Sequence, residues 1–386
     1  MKIILTGSGS GGHVVPILSI IHILKEKYPT IEIIFVGQKG DNLTNLIRSN
    51  DEIDRYYFIH AGKFRRYSNE GWRQLLDLKT VYKNFRDLFL IFLGFIESIV
   101  IIRKNKPDRL FTRGGYIAVP IALAAKLTGL SYITHDSDVV PSLANKIIAP
   151  WAKYNLVALK KGYYPYDKNK IKVTGVPVSN QFKFVDHAQQ IKFKLKLGLK
   201  STDKVLFVIG GGLGSLNINK LILSIADKLL TDFDNLYIFH VVGQKNYHFM
   251  EHQYHRDIFK KFIDTKRIQF FSFLDEVYLY SGAADLIISR AGATNIAEFS
   301  LQGKACIVIP SPSLPNSHQL KNAQYLQDNQ ATIVLSEKEL LKDPIELKEQ
   351  VSLLLRANDR REELIKSISA LANDQAIEKI ISYIVD

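Results

Sequence analysis

The stretch that decides the fold reads Ala284-Asp-Leu-Ile-Ile-Ser-Arg290-Ala-Gly292-Ala-Thr294-Asn-Ile-Ala-Glu298. Its short apolar run, Leu286 to Ser289, is bounded by polar residues and predicts a buried parallel strand. A turn through Gly292 then opens a helix that carries Glu298 near its first turns. A helix start attracts phosphate, Arg290 can bind that phosphate bidentately, and the Glu298 carboxylate can accept ribose hydroxyls. The pattern predicts a nucleotide site; an ordinary strand–turn–helix with both side chains in solvent is the alternative.

Both halves of the chain begin with the same pattern of strand, glycine loop and helix. The first half has a strand at Lys2–Thr6, a loop at Gly7–Gly12 and a helix from about Val14 to Lys27; the second has a strand at Lys204–Ile209, a loop at Gly210–Ser215 and a helix at Leu216–Leu230. This repeat predicts two Rossmann-like α/β domains. The first loop also fits the dinucleotide fingerprint, but Gly37-Gln38 stands where a nicotinamide enzyme places an acid.

Length and composition fit a two-domain globular protein. The chain has 386 residues, of which 46% are hydrophobic and 23% charged. We predict an N-terminal domain at 1–163, a linker at 164–180 and a C-terminal domain at 181–386, whose last helix could return to the N-terminal domain. The single cysteine, Cys306, falls in a predicted buried strand, which excludes an internal disulfide and suits a reducing cytoplasm. No secretory signal is recognisable before the first glycine loop.

Positive charge is concentrated in the first half of the chain. Residues 1–180 contain 26 Lys and Arg against 14 Asp and Glu, so they carry +12 of the net charge of +13. The window 61–113 interleaves basic and aromatic residues, and its predicted helix Phe85–Ile102 contains an apolar run that Glu97 interrupts and that is short for a membrane span. These features predict either a nucleic-acid surface or an anionic membrane face. A helix buried in the domain is the structural alternative.

Three histidines raise the question of a metal site. His248, His252 and His255 would share one face of a helix predicted at 246–261. No cysteine or second-shell carboxylate accompanies them, so we predict no metal site there.

Several motifs resemble the MurG family of glycosyltransferases, which add N-acetylglucosamine to lipid I. At the nucleotide site they are Arg290-Ala-Gly-Ala-Thr-(x3)-Glu298, Gly303-Lys-Ala and His318-Gln319-x-x-Asn322-Ala; elsewhere they are Ser10-Gly-Gly-His13-Val-x-Pro16, Ala61–Tyr67, Gly114-Gly-Tyr116 and His135–Lys146. Together they cover nearly the whole chain. The resemblance implies the GT-B architecture, in which two Rossmann-like domains face each other across a cleft.

The resemblance also implies the reaction and its partners. We expect a hexosyltransferase that moves N-acetylglucosamine, with inversion, from UDP-N-acetylglucosamine to undecaprenyl-linked lipid I, giving lipid II for peptidoglycan. No cofactor is required, and stimulation by a divalent cation stays open. The protein is expected at the cytoplasmic face of the bacterial membrane as a peripheral protein on an anionic surface, without nucleic acid.

The motifs carry site roles to individual residues. Donor contacts fall on Ser10, Gly11, Gly12, Asp138, Gly212, Ser215, Leu274, Arg290, Ala293, Thr294, Glu298, His318 and Gln319, and acceptor contacts on Tyr116 and His135. His13 is the first choice for the general base, because the reference pKa of histidine suits proton transfer near neutrality. Asp136 is the second choice. A helix-capping role for His13 is the alternative.

The chain departs from the family at several of these positions. His135-Asp-Ser-Asp138 stands where the family usually has His-Glu-Gln-Asn, Gly212 replaces a serine of the second glycine loop, and Ser179 replaces an arginine. The first departure puts acceptor recognition in question. Other functions therefore remain open: another UDP-sugar transferase with a lipid-linked acceptor, a UDP-N-acetylglucosamine 2-epimerase, or a non-catalytic binding module.

Overall fold

The computed structural model describes residues 1–7, 11–41, 44–63, 78–159, 163–314 and 317–386, with the side chains of 11–13 and 78–81 outside the description. The chain divides into two compact units. The first comprises Met1–Ser179 and Gln375–Asp386, and the second comprises Asn180–Asp374. Each unit contains one parallel β-sheet with helices, so the predicted α/β fold class is confirmed.

The first unit contains seven strands among the described residues. Its elements are β1 (Lys2–Thr6), α1 (Gly11–Lys27), β2 (Glu32–Gln38), α2 (Thr44–Arg48), β3 (Arg55–Ile59), α3 (Leu78–Asn105), β4 (Arg109–Thr112), α4 (Ala118–Thr128), β5 (Tyr132–Asp136), α5 (Leu143–Ile148), a 3-10 helix (Ala149–Trp151), β6 (Tyr154–Val157) and β7 (Ile171–Val173). The strands lie in the order β3-β2-β1-β4-β5-β6-β7.

The second unit repeats this arrangement. Its elements are α6 (His187–Lys196), β8 (Lys204–Ile209), α7 (Leu216–Asp232), β9 (Leu236–Val241), a 3-10 helix (Gln244–Asn246), α8 (Tyr247–Tyr254), α9 (Asp257–Asp264), β10 (Ile268–Phe271), α10 (Val277–Ala283), β11 (Leu286–Ser289), α11 (Ala293–Gln302), β12 (Cys306–Val308), α12 (His318–Asp328), β13 (Ile333–Val334), α13 (Glu337–Leu340), α14 (Ile345–Arg356) and α15 (Asn358–Ser369). The strands lie in the order β10-β9-β8-β11-β12-β13, and α16 (Ala376–Val385) follows in the first unit.

The strand order fixes where ligands can bind. In each sheet the first three strands in sequence lie side by side toward one edge, and the fourth strand lies on the opposite side of the first strand. This reversal falls between β1 and β4 in the first sheet and between β8 and β11 in the second. The carboxyl ends of strands at such a switch point form a crevice in open α/β sheets. The predicted loops at residues 210–215 and 290–294 follow β8 and β11, so the fold puts both of them at such an edge. In the first unit, β1 ends at Thr6 and α1 begins at Gly11, so the start of α1 lies at the corresponding edge.

Helix α16 completes the core of the first unit. Ile377, Ile380, Ile381 and Ile384 are buried in the same apolar cluster as the side chains of β1 and α1. The ring of Tyr383 meets Tyr154 edge-on, with centroids 5.2 Å apart. The unit is therefore assembled from both ends of the sequence.

Helix α3 is buried on one face and exposed on the other. Its buried face contains Asp87, Gly94 and Ser98. Its opposite face exposes apolar side chains at helical spacing: Tyr82, Phe85, Leu88, Phe89, Phe92, Ile96 and Val100. We call these seven residues the α3 apolar face. No helix within the described ranges is long and apolar enough to cross a membrane.

Two glycines let the chain that follows β3 lie directly against α3. A β-carbon added to Gly94 would meet the His60 carbonyl oxygen at 1.9 Å, and one added to Gly62 would meet the Asp87 carbonyl oxygen at 2.0 Å. Glu97 of α3 stabilises this contact by accepting hydrogen bonds from the His60 N–H at 2.7 Å and from the Lys39 ammonium at 2.6 Å. The position of α3 is thus coupled to the start of the Ala61–Tyr67 motif, whose residues 64–67 lie outside the described residues.

We expect Gly94→Ala to destabilise the protein. Helix propensity alone would favour alanine by about 1 kcal/mol, but the added methyl group overlaps the His60 carbonyl. Overpacking against main chain costs about 2 kcal/mol or more. Urea unfolding measures the difference, with Gly212→Ala as control because a β-carbon there meets nothing within 4 Å. Equal stability of Gly94→Ala and wild type would contradict the close approach.

Candidate active site

The second glycine loop depends on two glycines that face each other. Gly214 and Gly243 have φ of +74° and +87°, and a β-carbon on Gly214 would meet the Val242 carbonyl oxygen at 2.3 Å. The loop ends at Ser215, which caps α7 by accepting a hydrogen bond from the Ile218 N–H. Gly212, where the family has serine, is exposed and borders open space. Backbone N–H groups of such a loop can hold phosphate.

Arg290 is fixed at the carboxyl end of β11. Its Nη1 donates to the Ile309 carbonyl at 3.0 Å, and its Nη2 donates to the Ser215 hydroxyl at 2.6 Å and pairs with the Glu337 carboxylate. Burial lowers the pKa of the guanidinium, and Glu337 opposes that shift. The structure therefore brings together the predicted donor residues Arg290 and Ser215, and adds Glu337.

The start of α11 is open to an anion. Gly292 precedes the helix in extended conformation, and no side chain caps the helix there. The first N–H groups of a helix, here from Ala293 and Thr294, have no intrahelical acceptor. A β-carbon on Gly292 would meet nothing within 4 Å, so the approach to this helix start is not obstructed. The local geometry suits phosphate, as the sequence predicts.

Glu298 lies in the second turn of α11, where the residue is half-buried. Desolvation raises the pKa of its carboxyl to about 8. Neither an ion pair nor a hydrogen bond to the carboxylate is found within the described part of the chain. A carboxyl in that condition gains from hydroxyl donors, which is what a ribose would supply.

The remaining predicted donor residues of the second unit follow β10 and β12. Leu274 packs on the core, and beside it Phe273, a flat apolar group that no sequence motif marks, keeps 53% of its surface exposed. Gln319 accepts a hydrogen bond from the Ser311 N–H at 2.9 Å through its carbonyl, which leaves its amide N–H groups for a ligand. His318, which begins α12, is half-buried.

In the first unit, the first-choice base is not described. Ser10 lies outside the described residues, Gly11 and Gly12 begin α1, and the side chain of His13 is not described. The helix starts three residues earlier than predicted. The assignments of Ser10 and His13 stay predictions.

Asp136 and His135 end β5 as buried groups. Asp136 Oδ2 accepts from the Tyr166 hydroxyl at 2.6 Å and Oδ1 from the Ser142 N–H at 3.0 Å. Burial raises the pKa of Asp136 to about 6, while the Tyr166 hydrogen bond lowers it. His135 has no exposed surface; its Nε2 lies 2.9 Å from the Gly175 carbonyl, and burial lowers its pKa to about 3. The ring of His135 is thus held inside the unit by Gly175, and its assignment as an acceptor residue stays a prediction.

Asp138 and Gly114 lie close to these two residues in the first unit. The carbonyl of Asp138 accepts from the Tyr164 hydroxyl at 2.7 Å, and the carboxylate supports the charge of the buried Arg113. Gly114 has φ +83°, and a β-carbon there would touch Asn145 Oδ1 at 3.1 Å, which explains the glycine turn.

That turn presents Tyr116, a predicted acceptor residue. Its ring is half-buried and has the Lys63 ammonium 5.4 Å from its centroid. Tyr116 is therefore placed beside a cation that could also meet a phosphorylated acceptor.

The helix predicted at 246–261 is interrupted, because Arg256, with ψ of 150°, separates α8 from α9. His248 and His252 lie in α8, and His255 is its C-terminal capping residue. His248 lies 3.6 Å from Glu251. Across the described residues, no cluster of three or more His, Cys, Asp or Glu could hold a metal ion.

Known proteins resemble the chain over its whole length. The glycosyltransferase family 28 N-terminal domain matches residues 3–157, and the family's C-terminal domain matches residues 205–380. The UDP-N-acetylglucosamine–N-acetylmuramyl-(pentapeptide) pyrophosphoryl-undecaprenol N-acetylglucosamine transferase of Clostridium tetani is 32% identical, covering 99% of this chain and 97% of its own. The protein of the same name from Flavobacterium psychrophilum is 30% identical, with coverages of 100% and 97%. The crystal structure of Acinetobacter baumannii MurG aligns with a TM-score of 0.71 at 21% identity, covering 100% of this chain and 99% of that one.

We expect UDP, the nucleotide predicted from the sequence, to release a proton when it binds near pH 7. Ribose hydroxyls donating to Glu298 favour its charged form, so its pKa falls from about 8 and the proton leaves. Calorimetric titrations in two buffers of different ionisation enthalpy measure this proton. Glu298→Gln should bind UDP weakly and release only the small fraction of a proton that the terminal phosphate of UDP still carries near pH 7. Glu339→Gln, an exposed control, should behave as wild type. Identical heats in both buffers for the wild type would refute the assignment.

The same carboxyl should make stability depend on pH. Its folded pKa lies above the unfolded value, so its stabilising contribution is complete below about pH 4.5 and is lost as the pH rises through 8. Glu298→Gln should therefore raise the melting temperature of the ligand-free protein at pH 9 relative to wild type, and by less at pH 5. A lower melting temperature at pH 9 would mean that the carboxylate has a stabilising partner.

Proposed function

Because the chain belongs to glycosyltransferase family 28, within the MurG family of N-acetylglucosamine transferases, we propose that it transfers N-acetylglucosamine from UDP-N-acetylglucosamine to lipid I, giving lipid II. The observation that carries this function is the 32% identity along nearly the full length of both chains, which extends through both units and beyond the nucleotide site. The enzyme class predicted from the sequence agrees with it. Peptidoglycan synthesis is the resulting process, and cell shape and division depend on it.

The second unit supplies the donor groups. Arg290 and the uncapped start of α11 offer positive charge to the diphosphate, on which negative charge grows as the glycosidic bond to UDP breaks. Glu298 accepts the ribose hydroxyls, and the main chain at Leu274 faces the uracil. The amide N–H groups of Gln319 and the side chain of His318 bind sugar hydroxyls. Gly212 and Ser215 place loop N–H groups near the diphosphate.

The first unit supplies the acceptor groups and the base. The acceptor hydroxyl attacks the anomeric carbon and must lose its proton to a nearby base. We assign that base to His13, at the start of α1. Asp136 is the second choice, because its pKa of about 6 suits the task but both of its oxygens already accept hydrogen bonds. Tyr116, with Lys63 beside it, contacts the acceptor.

No cofactor enters this mechanism. The diphosphate charge is met by Arg290 and by backbone N–H groups, so a metal ion is not needed to activate the leaving group. A divalent cation can stimulate the reaction as a counterion for the two diphosphates. Activity that survives EDTA supports this proposal, and complete loss of activity that Mg²⁺ restores would replace it with a metal-dependent reaction.

The α3 apolar face holds the enzyme on the membrane that contains its acceptor. Phe85 and Phe89 are 74% and 58% exposed, and the first half of the chain carries nearly all of the net positive charge. An exposed apolar stripe with surrounding basic groups lies in the interface of an anionic bilayer. We therefore place the protein at the cytoplasmic face of the membrane as a peripheral protein, without nucleic acid as partner.

We expect UDP release from UDP-N-acetylglucosamine to require a lipid I analogue. Other UDP-sugars should give little release. His13→Ala should lower turnover by about a hundredfold or more, with unchanged UDP affinity, because the base acts only in the chemical step. Acceptor-independent conversion of the donor would indicate an epimerase, and release with a different lipid-linked sugar would indicate another transferase.

We expect the combined substitution of Phe85, Phe89 and Phe92 by serine to weaken binding to phosphatidylglycerol vesicles by about tenfold or more, because the buried apolar area is lost. The matched control replaces Ile258, Ile345 and Leu353, three similarly exposed apolar residues of the second unit, by serine. Sedimentation with vesicles measures binding. Added salt should weaken wild-type binding. Equal binding of both variants would exclude the α3 apolar face as the membrane contact.

A further inference from the structure

A buried ion pair adjoins the proposed diphosphate site and has no role in the mechanism so far. Glu337, the first residue of α13, pairs with Nη2 of Arg290, and the two side chains are only 6% and 9% exposed. No motif in the sequence marks this glutamate. It is the one acidic side chain that the structure places against Arg290 in the described residues.

Glu337 also contacts the helix that follows the glycine loop. Its Oε1 accepts a hydrogen bond from Asn217 Nδ2 at 2.9 Å, in the first turn of α7. Because Ser215 and Ile309 hold the same guanidinium, Arg290 is constrained on three sides. Glu337 therefore sets both the orientation of Arg290 and the net charge at the point where a diphosphate would sit.

We propose that Glu337 is a positioning residue that also promotes release of UDP. The proposal rests on the function proposed above, in which Arg290 meets the diphosphate. A fixed carboxylate beside Arg290 repels a bound diphosphate, and it repels the product more than the donor. The reason is chemical: when the glycosidic bond breaks, the β-phosphate keeps the bonding oxygen and becomes a terminal phosphate, whose second ionisation lies near pH 6.

The consequence is a selective effect on product affinity. The charge of Glu337 lowers the affinity for UDP more than it lowers the affinity for UDP-N-acetylglucosamine. Without that charge, the contacts to Arg290 would give UDP a higher affinity relative to the donor. Since the buried site screens charge weakly, removing one charge should change UDP affinity by about tenfold. A residue that only supported the fold would change donor and product affinity together.

Glu337→Gln tests the charge without removing the side chain. The glutamine carbonyl can accept from Arg290, and its amide can donate to Asn217 after that side chain turns over. At pH 8 we expect UDP to bind about tenfold more tightly, the donor KM to change by less, and kcat to fall as product release becomes slow. The matched control is Glu339→Gln, the same charge change at an exposed position of the same helix, and it should behave as wild type.

A second variant changes the charge in the opposite direction and leaves Glu337 in place. Asn217→Asp adds a negative group beside Glu337 and should weaken UDP more than the donor. It keeps the proposal testable if Glu337→Gln proves too unstable to purify, and thermal unfolding establishes which variants are folded. An unchanged ratio of UDP to donor affinity in the folded variants overturns the proposal.

The same titrations separate this proposal from the function on which it rests. If wild type does not bind UDP, or if Arg290→Ala binds UDP as tightly as wild type, the donor-site assignment has failed. If wild type binds UDP, Arg290→Ala does not, and Glu337→Gln matches Glu339→Gln, then only the role of Glu337 has failed.

Discussion

Parallel strands joined by crossover helices bring all their carboxyl ends to one edge of a sheet, and the rest of this structure depends on that constraint. Both sheets place their first strand inside the sheet, so that β1 with β4, and β8 with β11, open a crevice where the chain reverses direction. Glycine loops and helix starts occupy these edges because a tight turn from strand to helix needs them. The polar residues of both proposed half-sites follow from the same geometry.

Two carboxyl groups of the proposed site are poorly solvated. Glu298 and Asp136 both have raised pKa values because burial disfavours the carboxylate form. They differ in their neighbours: Asp136 already accepts from Tyr166 and Ser142, whereas Glu298 has no such donor among the described residues. Asp136 therefore stabilises the fold as well as being a candidate base, and Glu298 retains its full hydrogen-bonding capacity for a ligand.

Local sequence was sufficient to predict an element wherever a short-range pattern determines its structure. The strands Leu286–Ser289 and Lys204–Ile209 were found at their predicted residues, because apolar runs bounded by polar residues have few other solutions in an α/β chain. The break at Arg256 was missed, since neither glycine nor proline marks it. Family motifs mark Arg290 and Glu298 but not Glu337, which meets Arg290 only through the tertiary fold. The pKa of Glu298 likewise depends on packing that no motif encodes.

The position of α16 has a consequence for biosynthesis. The first sheet is made early, yet the isoleucines of α16 that cover part of its core are made only after the whole second unit. Until then the nascent first unit exposes an apolar surface of β1 and α1. The second unit can fold while the core of the first unit is still incomplete. A chain that lacked α16 would keep every proposed site residue and still have an incomplete first unit. Loss of α16 would therefore uncover an apolar surface that favours aggregation, rather than give a slightly shortened enzyme.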